Sequence, residues 1–168
     1  MRRKIIYYGI AAVLIVFIIG GIWIIAGKAR ESGTKNTNAA SRESDMAVYC
    51  LSIENGAVKP VSVEDFNVFV QTADRPVFVD FYADWCGPCR LAAPFVEQLA
   101  LDYNGQAYVL KVNVDRAADL AQKYQAQAIP LFVVIDGGIM VERISGYSDA
   151  YQSDLRQMIV KHTSKMDR

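Results

Sequence analysis

The sequence predicts an α/β domain with a mixed central sheet and helices on both faces, preceded by one hydrophobic segment. Apolar runs that suit buried strands alternate with stretches of helical period from residue 46 onward. The pair Asn55 and Gly56 stands between two apolar runs and is typical of a β-hairpin. Residues 5–26 contain no charged side chain, as expected for a helix that crosses a membrane.

The elements of residues 46–168 follow from hydrophobic period and turn residues. A hairpin at residues 47–60 is an addition at the N-terminal end, and a short amphipathic helix follows at residues 63–73, with Ser62 as its candidate N-cap. The remaining elements are a buried strand, a long helix, a strand, a short helix, two paired strands and a closing helix, at residues 76–83, 87–103, 106–115, 116–125, 129–136, 139–146 and 148–162.

Residues 1–26 are predicted to be a basic N-terminus followed by a transmembrane anchor. The 22 uncharged residues 5–26 would make a helix of roughly 33 Å, enough for a hydrocarbon core of ~30 Å. A cleaved signal peptide is the alternative, although its apolar region is usually only ~7–15 residues long. Residues 27–45 are rich in Ser, Thr, Asn, Gly and charge, and are expected to form a flexible linker.

The charges that flank the apolar segment predict its orientation. Arg2, Arg3 and Lys4 precede it, whereas the cationic residues that follow are spread over a longer stretch at Lys28, Arg30 and Lys35. Because cationic flanks favour the cytoplasmic side, we expect a single-pass protein of a bacterial-type inner (cytoplasmic) membrane. Its domain would then lie in the periplasm.

The domain itself is mildly acidic. Residues 46–168 carry eleven Lys and Arg against fifteen Asp and Glu, a formal net charge of −4, although the whole chain sums to zero. No basic stripe runs along any predicted element. The sequence therefore argues against nucleic acid as a partner.

Cys86 and Cys89 stand three positions apart where a predicted strand gives way to a helix. Helix geometry places their Cα atoms roughly 5 Å apart, within the range that a disulfide requires. Closing so short a loop stabilises a protein little, so the pair suits a bond that opens and closes. The helix N-terminus would lower the pKa of the Cys86 thiol, which makes Cys86 the exposed attacking thiolate and Cys89 the shielded resolving thiol.

Two other uses of the cysteine pair stay open. One is a purely structural disulfide. The other is a zinc site, which normally needs four ligands, and the only further candidates are Cys50 and His162, far apart in the chain. We expect no metal, and the role of Cys50 is not determined.

The sequence "VDFYADWCGPCR" resembles the active-site region of the thioredoxin family. Further matches are Pro94 within the helix, "LKVNVD", "AIP" at residues 128–130, and Gly146 before the last helix. The resemblance extends over about residues 61–162 and implies a thioredoxin fold. Two positions depart from the family pattern: Arg90 replaces a common Lys, and Leu131 replaces a common Thr and is expected to change the wall of the substrate groove.

The resemblance also implies roles for single residues. Asp80, a carboxylate in an apolar strand, would be the buried proton acceptor of the resolving thiol, and Lys111 would tune it. Pro130 would be a cis-proline opposite the cysteines. The substrate would be bound by Trp85, Gly87, Pro88, Ile129 and Pro130.

The expected function is therefore a membrane-anchored thiol–disulfide oxidoreductase that reduces protein disulfides outside the cytoplasm. It would need no cofactor beyond the Cys86–Cys89 pair, and it would act as a monomer. Its partners would be a disulfide-containing protein and an upstream membrane thiol donor of electrons. The alternatives are an oxidase or isomerase, a thioredoxin-like protein of cytochrome maturation, and a redox-inert binding or chaperone module.

Overall fold

Six strands form one mixed sheet in the computed structural model, which describes residues 45–163. The order of the strands across the sheet is β2-β1-β4-β3-β5-β6. Only β3 and β4 run parallel to each other, and every other neighbouring pair is antiparallel. The strands β1 to β6 are Val48–Glu54, Ala57–Ser62, Val77–Tyr82, Tyr108–Asn113, Leu131–Asp136 and Ile139–Ser145.

Four α-helices lie in the described part of the chain, and each is found where the hydrophobic period predicts one. A short 3-10 turn, Asp149–Tyr151, precedes the last helix, which therefore begins a few residues after the predicted start. The helices α1 to α4 are Phe66–Thr72, Gly87–Asp102, Ala118–Lys123 and Gln152–Thr163.

The predicted N-terminal hairpin is present, and its first strand takes an interior position. Asn55 and Gly56 form the turn with φ angles of 53° and 76°, a left-handed conformation that these two residue types tolerate. Strand β1 lies between β2 and β4 and is antiparallel to both. The hairpin thus extends the sheet beyond β4, with β1 as an interior strand and β2 as the outermost strand.

Alternation along β3 divides the core into two layers. Phe78 and Tyr82 pack with residues of α2 and α4 on one face of the sheet. Val77, Val79 and Phe81 pack with residues of α1 on the other face. Because successive side chains of a strand point to opposite faces, the Asp80 side chain points to the same face as Phe78 and Tyr82, which α2 and α4 cover.

The predicted membrane anchor lies outside the described part of the chain, as does nearly all of the linker. Within residues 45–163, no helix has the length and apolar character needed to cross a bilayer.

Two expectations about single residues are wrong. The N-cap of α1 is Asp65, whose Oδ1 accepts a hydrogen bond from the Val68 N–H at 3.0 Å, whereas Ser62 ends β2. Leu131 does not form the wall of a groove, because its side chain is fully buried in the core layer beneath α1. Strand β2 continues to Ser62, beyond the predicted end of the hairpin at residue 60, so Ser62 cannot cap α1. Alternation along β5 turns the Leu131 side chain inward.

We predict that Asp65→Ala destabilises the domain by about 1 kcal/mol, because an unpaired amide is left in the first turn of α1. Ser62→Ala is the matched control, since Ser62 is exposed at the end of a strand, and it should change the free energy of unfolding by less than about 0.5 kcal/mol. Urea unfolding of both variants measures the difference. Equal losses from the two substitutions would contradict the assigned cap.

Candidate functional site

The two cysteines form a disulfide at the junction of β3 and α2. Cys86 and Cys89 have Cα atoms 5.3 Å apart, close to the separation that helix geometry predicts. Cys86 is the N-cap of α2, and Cys89 lies in its first turn. Pro88 occupies an early helical position, where the missing N–H costs no helical hydrogen bond.

The sulfur of Cys86 lies among polar backbone groups. Its Sγ accepts a hydrogen bond from the Cys89 N–H at 3.1 Å. On its other side, Sγ is 3.8 Å from the carbonyl oxygen of Ile129, and this is a packing contact because a disulfide sulfur carries no hydrogen. The Ile129–Pro130 peptide bond is cis, as the family resemblance implies. A negative charge on the Cys86 sulfur would be stabilised by the amide and by the helix N-terminus.

The expected difference in exposure between the two cysteines is not observed. Both Cys86 and Cys89 are 4% exposed, although Cys86 was expected to be open to solvent. Adjacent residues and the chain at Ile129 cover the Cys86 sulfur in the disulfide form. What distinguishes the cysteines is therefore their neighbours: Cys86 contacts the helix N-terminus and Ile129, whereas Cys89 lines a cavity together with the buried Lys111.

The rim of the disulfide is apolar and exposed. The Trp85 side chain is 67% exposed, and its indole Nε1–H donates a hydrogen bond to Asp115 Oδ2 at 2.9 Å. Pro88 is also exposed, Gly87 is half-buried, and Leu91 is 73% exposed. Of the five predicted substrate-binding residues, Trp85, Gly87 and Pro88 lie in the active loop, residues 83–89 between β3 and the first turn of α2. Ile129 and Pro130 belong to the segment that contacts Cys86.

Sequence reasoning did not identify Asp115 and Leu91 at this rim. Asp115 follows β4, which is parallel to β3 and ends at the same edge of the sheet. The strand–helix–strand pattern of residues 76–115 was a usable signal, because such a connection usually joins parallel strands. Leu91 carried no signal of its own, because an apolar residue in an amphipathic helix is normally expected in the core.

Asp80 lies in the centre of the sheet beneath α2. It is 1% exposed, and within residues 45–163 neither of its carboxylate oxygens has a hydrogen-bond partner. Burial raises the pKa of the Asp80 carboxyl from its ordinary value of 3.8 to about 6, although the nearby Lys111 ammonium lowers it. The carboxyl therefore changes its protonation state close to neutral pH, as a proton acceptor for a thiol requires.

Lys111 is aligned with Asp80 across the parallel strands β3 and β4. It is only 6% exposed, and its Nζ lies 4.5 Å from the centre of the Tyr82 ring. Lys111, Tyr82 and Cys89 line one cavity of about 210 Å³. This volume admits water, so water in the cavity can reach both Cys89 and Lys111.

The third cysteine stands apart from this chemistry. Cys50 is a half-buried free thiol in β1, and burial raises its pKa to about 11. A thiol with so high a pKa is almost entirely protonated at neutral pH and is a poor nucleophile. Within the described residues, no group of three or more His, Cys, Asp or Glu side chains is arranged to hold a metal ion.

Comparisons with known proteins agree with this geometry. The thioredoxin family model matches residues 57–161. Thioredoxin 1 of Chlorobaculum tepidum is 45% identical over 92 residues, which cover 55% of this chain and 89% of that protein. Thioredoxin of Staphylococcus aureus strain Mu50 is 37% identical over 106 residues, which cover 63% of this chain and 98% of that protein.

Solved structures of thioredoxins are also similar to the chain. Oxidised mitochondrial thioredoxin 3 of Saccharomyces cerevisiae superposes with a TM-score of 0.52 at 30% identity, covering 57% of this chain and 86% of that one. Fasciola hepatica thioredoxin superposes with a TM-score of 0.50 at 41% identity, covering 56% of this chain and 88% of that one.

The family match begins at Ala57, so it includes β2, and β1 of the hairpin lies before it. The match includes the disulfide, the buried carboxyl and the cis-proline. The chain therefore belongs to the thioredoxin family, and it is a thiol–disulfide oxidoreductase whose redox group is the Cys86–Cys89 pair.

Proposed function

We propose that the chain is a membrane-anchored protein-disulfide reductase that acts outside the cytoplasm. The observation that carries the redox part is the Cys86 sulfur, which accepts the Cys89 N–H at a helix N-terminus beside an exposed Trp85. The anchoring rests on the sequence alone, through the uncharged residues 5–26 and the basic residues before them.

The reaction begins with the reduced pair. The Cys86 thiolate attacks one sulfur of a substrate disulfide, the substrate S–S bond breaks, and one substrate thiolate leaves. A mixed disulfide between Cys86 and the other substrate sulfur remains. The exposed Trp85, Pro88 and Leu91 side chains support this step, because they form an apolar rim on which an extended substrate segment can pack.

Cys89 completes the reaction. Its thiol gives a proton to the Asp80 carboxylate, and the resulting thiolate attacks the Cys86 sulfur. The second substrate thiolate leaves as the Cys86–Cys89 disulfide forms. The cysteine pair has then given two electrons to the substrate disulfide and is itself oxidised. Asp80 is suited to this exchange because its pKa of about 6 allows it both to accept a proton and to release it near neutral pH.

Net reduction outside the cytoplasm requires a source of electrons. That compartment tends to oxidise thiols, so an upstream membrane thiol donor must return Cys86 and Cys89 to the dithiol form. The Gly87–Pro88 pair between the cysteines resembles the reducing members of the family. We propose a monomer, because both cysteines and Asp80 come from one chain and lie at one site.

We predict that Cys86→Ala abolishes reduction of insulin disulfides, because the attacking thiolate is lost. Cys89→Ala should still attack and should accumulate mixed disulfides, visible on a non-reducing gel. Cys50→Ser is the matched control, since it removes a thiol of high pKa outside the site and should leave turnover unchanged. Wild-type turnover in Cys86→Ala, or mixed disulfides trapped only by that variant, would contradict the assignment.

We predict that Asp80→Asn slows release of the mixed disulfide at neutral pH, by up to ~10²–10⁴-fold where water does not substitute as the acceptor. The wild-type rate should fall below about pH 6 as the Asp80 carboxyl becomes protonated, and the variant should lack this acidic limb. Stopped-flow measurement between pH 5 and 9 tests both points. A variant profile that matches the wild type would remove Asp80 from the mechanism.

The same substitution should change stability with a defined sign. The folded state binds a proton at Asp80 more tightly than the unfolded state does, so ionised Asp80 destabilises the fold as pH rises from about 4 to 6. A pKa raised by about two units corresponds to roughly 3 kcal/mol. Asp80→Asn should therefore be the more stable protein above pH 6, and this advantage should shrink toward pH 4 in denaturant unfolding of the oxidised forms.

Thiol labelling in cells tests both the location of the domain and the direction of electron flow. In a Cys50→Ser full-length chain, only Cys86 and Cys89 can react. After treatment with a membrane-impermeant phosphine, an impermeant maleimide should label both cysteines in intact cells. Acid-quenched growing cells should contain a substantial dithiol fraction, which becomes disulfide when the membrane donor is deleted.

Two results would overturn parts of this proposal. Labelling that requires lysis of the cells would place the domain in the cytoplasm. A pair that is fully oxidised in growing cells, and that responds to no reductant pathway, would favour the oxidase alternative.

A further inference from the structure

Strand β1 brings a residue from outside the family match to the buried acid–base pair. The match covers residues 57–161, whereas β1 is Val48–Glu54 and yet lies between β2 and β4. In this register Tyr49 stands directly opposite Lys111 of β4. Lys111 is in turn aligned with Asp80 of β3. One row of side chains on the α2 face thus runs from Tyr49 through Lys111 to Asp80.

The two tyrosine rings define where the Lys111 ammonium lies. Tyr49 is fully buried, and its ring meets the Tyr82 ring edge-on, with centres 6.3 Å apart and an interplanar angle of 83°. The Lys111 Nζ is 4.5 Å from the centre of the Tyr82 ring and 5.8 Å from that of Tyr49. Both distances are within the ~6 Å over which a ring attracts a cation.

We propose that Tyr49 is a positioning residue, which together with Tyr82 holds the Lys111 ammonium beside Asp80 and so sets the pH range in which Cys89 can resolve the mixed disulfide. This inference rests on the proposed role of Asp80 as proton acceptor. In the step concerned, the proton passes from the Cys89 thiol to the Asp80 carboxylate, and the Cys89 thiolate then displaces the substrate sulfur from Cys86.

The need for a positioning residue follows from the side chain of Lys111. Its ammonium is carried on a flexible four-carbon stem, and the adjoining cavity offers it a way toward water. The buried Tyr49 ring lies opposite Lys111 across the two strands and attracts the ammonium by its quadrupole. Without that ring, the ammonium can move away from Asp80, and the attraction that favours the ionised carboxyl becomes weaker.

The other groups around Asp80 do not replace this contribution. Across β5 its neighbour is the apolar Phe132. Helix α2 contributes Cys89 itself and, at the cavity, Arg90, whose guanidinium donates to the Asp84 carbonyl oxygen and is exposed. The Asp84 carboxylate is paired with Arg116. Lys111 is therefore the buried cation of this layer that acts on the pKa of Asp80.

The test uses the single resolving step. Reduced protein is converted to a mixed disulfide of Cys86 with 5-thio-2-nitrobenzoate at low pH, and a jump to pH 5–9 releases the coloured thiolate when Cys89 attacks. In Tyr49→Leu we expect the midpoint of the acidic limb to rise by about half a pH unit, which makes release about twofold slower at pH 6 and about threefold slower at pH 5. Lys111→Met should shift it at least as far, and Tyr49→Leu should add nothing in that background.

Two control variants separate positioning from packing. Tyr49→Phe retains an aromatic ring and should keep the midpoint of the acidic limb at its wild-type value. Leu51→Ala removes a buried side chain two residues further along β1, on the same face of the sheet. It should lower the free energy of unfolding and leave the midpoint unchanged.

A near-isosteric series keeps the inference testable if Tyr49→Leu does not fold. Phenylalanines with increasing ring fluorination at position 49 conserve shape and progressively weaken the attraction of the ring for a cation. We expect the midpoint to rise in step with fluorination. NMR titration of the Asp80 carboxyl in the disulfide form of the same proteins should show a parallel rise without any turnover.

The outcomes distinguish this inference from the function on which it rests. If Asp80→Asn keeps the acidic limb, the role of Asp80 itself is wrong. If Asp80→Asn and Lys111→Met both alter the limb, but neither Tyr49→Leu nor the fluorinated series moves it, the role of Asp80 stands and the role of Tyr49 is overturned.

Discussion

The burial of the Asp80 carboxyl within the sheet is the constraint to which the rest of the site responds. Removing a carboxylate from water without hydrogen-bond partners strongly favours its protonated form, and burial alone would leave Asp80 a poor proton acceptor at neutral pH. The Lys111 ammonium opposes that effect, and the balance places the pKa at about 6. A fully solvated carboxyl would be too weak a base, and an isolated buried one would stay protonated.

The topology of the sheet makes this balance possible. Because β3 and β4 are parallel and in register, Asp80 and Lys111 are neighbours on the face that α2 covers. The same parallel strands end at one edge of the sheet, where the active loop with Cys86 follows β3 and Asp115 follows β4. The buried acid–base pair and the exposed Trp85 therefore depend on a single pairing of strands.

Much of the fold was readable from the sequence, because its strongest signals are local. The cysteine pair at a strand–helix junction, the Asn55–Gly56 turn and the alternation of strands and helices each depend on residues close together in the chain. The cap of α1 was misassigned because Ser62 and Asp65 are both good capping residues, and only the length of β2 decides between them.

Features that depend on residues distant in sequence could not be predicted in this way. The cover over Cys86 includes the chain at Ile129, 43 positions further on, so no local pattern indicated that its sulfur is shielded. Leu131 was assigned to the groove by analogy of position, but alternation within β5 turns it into the core. The interior place of β1 was also hidden, since a hairpin signal fixes which strands pair with each other and not where the pair joins a sheet.

The interior place of β1 also determines where the preceding chain joins the domain. Val48 pairs with Val112 near the end of β4, and the Asn113 N–H donates to the Ala47 carbonyl oxygen at 2.9 Å. This is the sheet edge at which β3 ends and the active loop begins. The family match starts instead at Ala57, at the opposite end of the hairpin. Because β1 is antiparallel to β2 and to β4, it begins at the edge of the sheet where β4 ends. The first described residues of the domain therefore lie at the same edge as the active loop with Cys86.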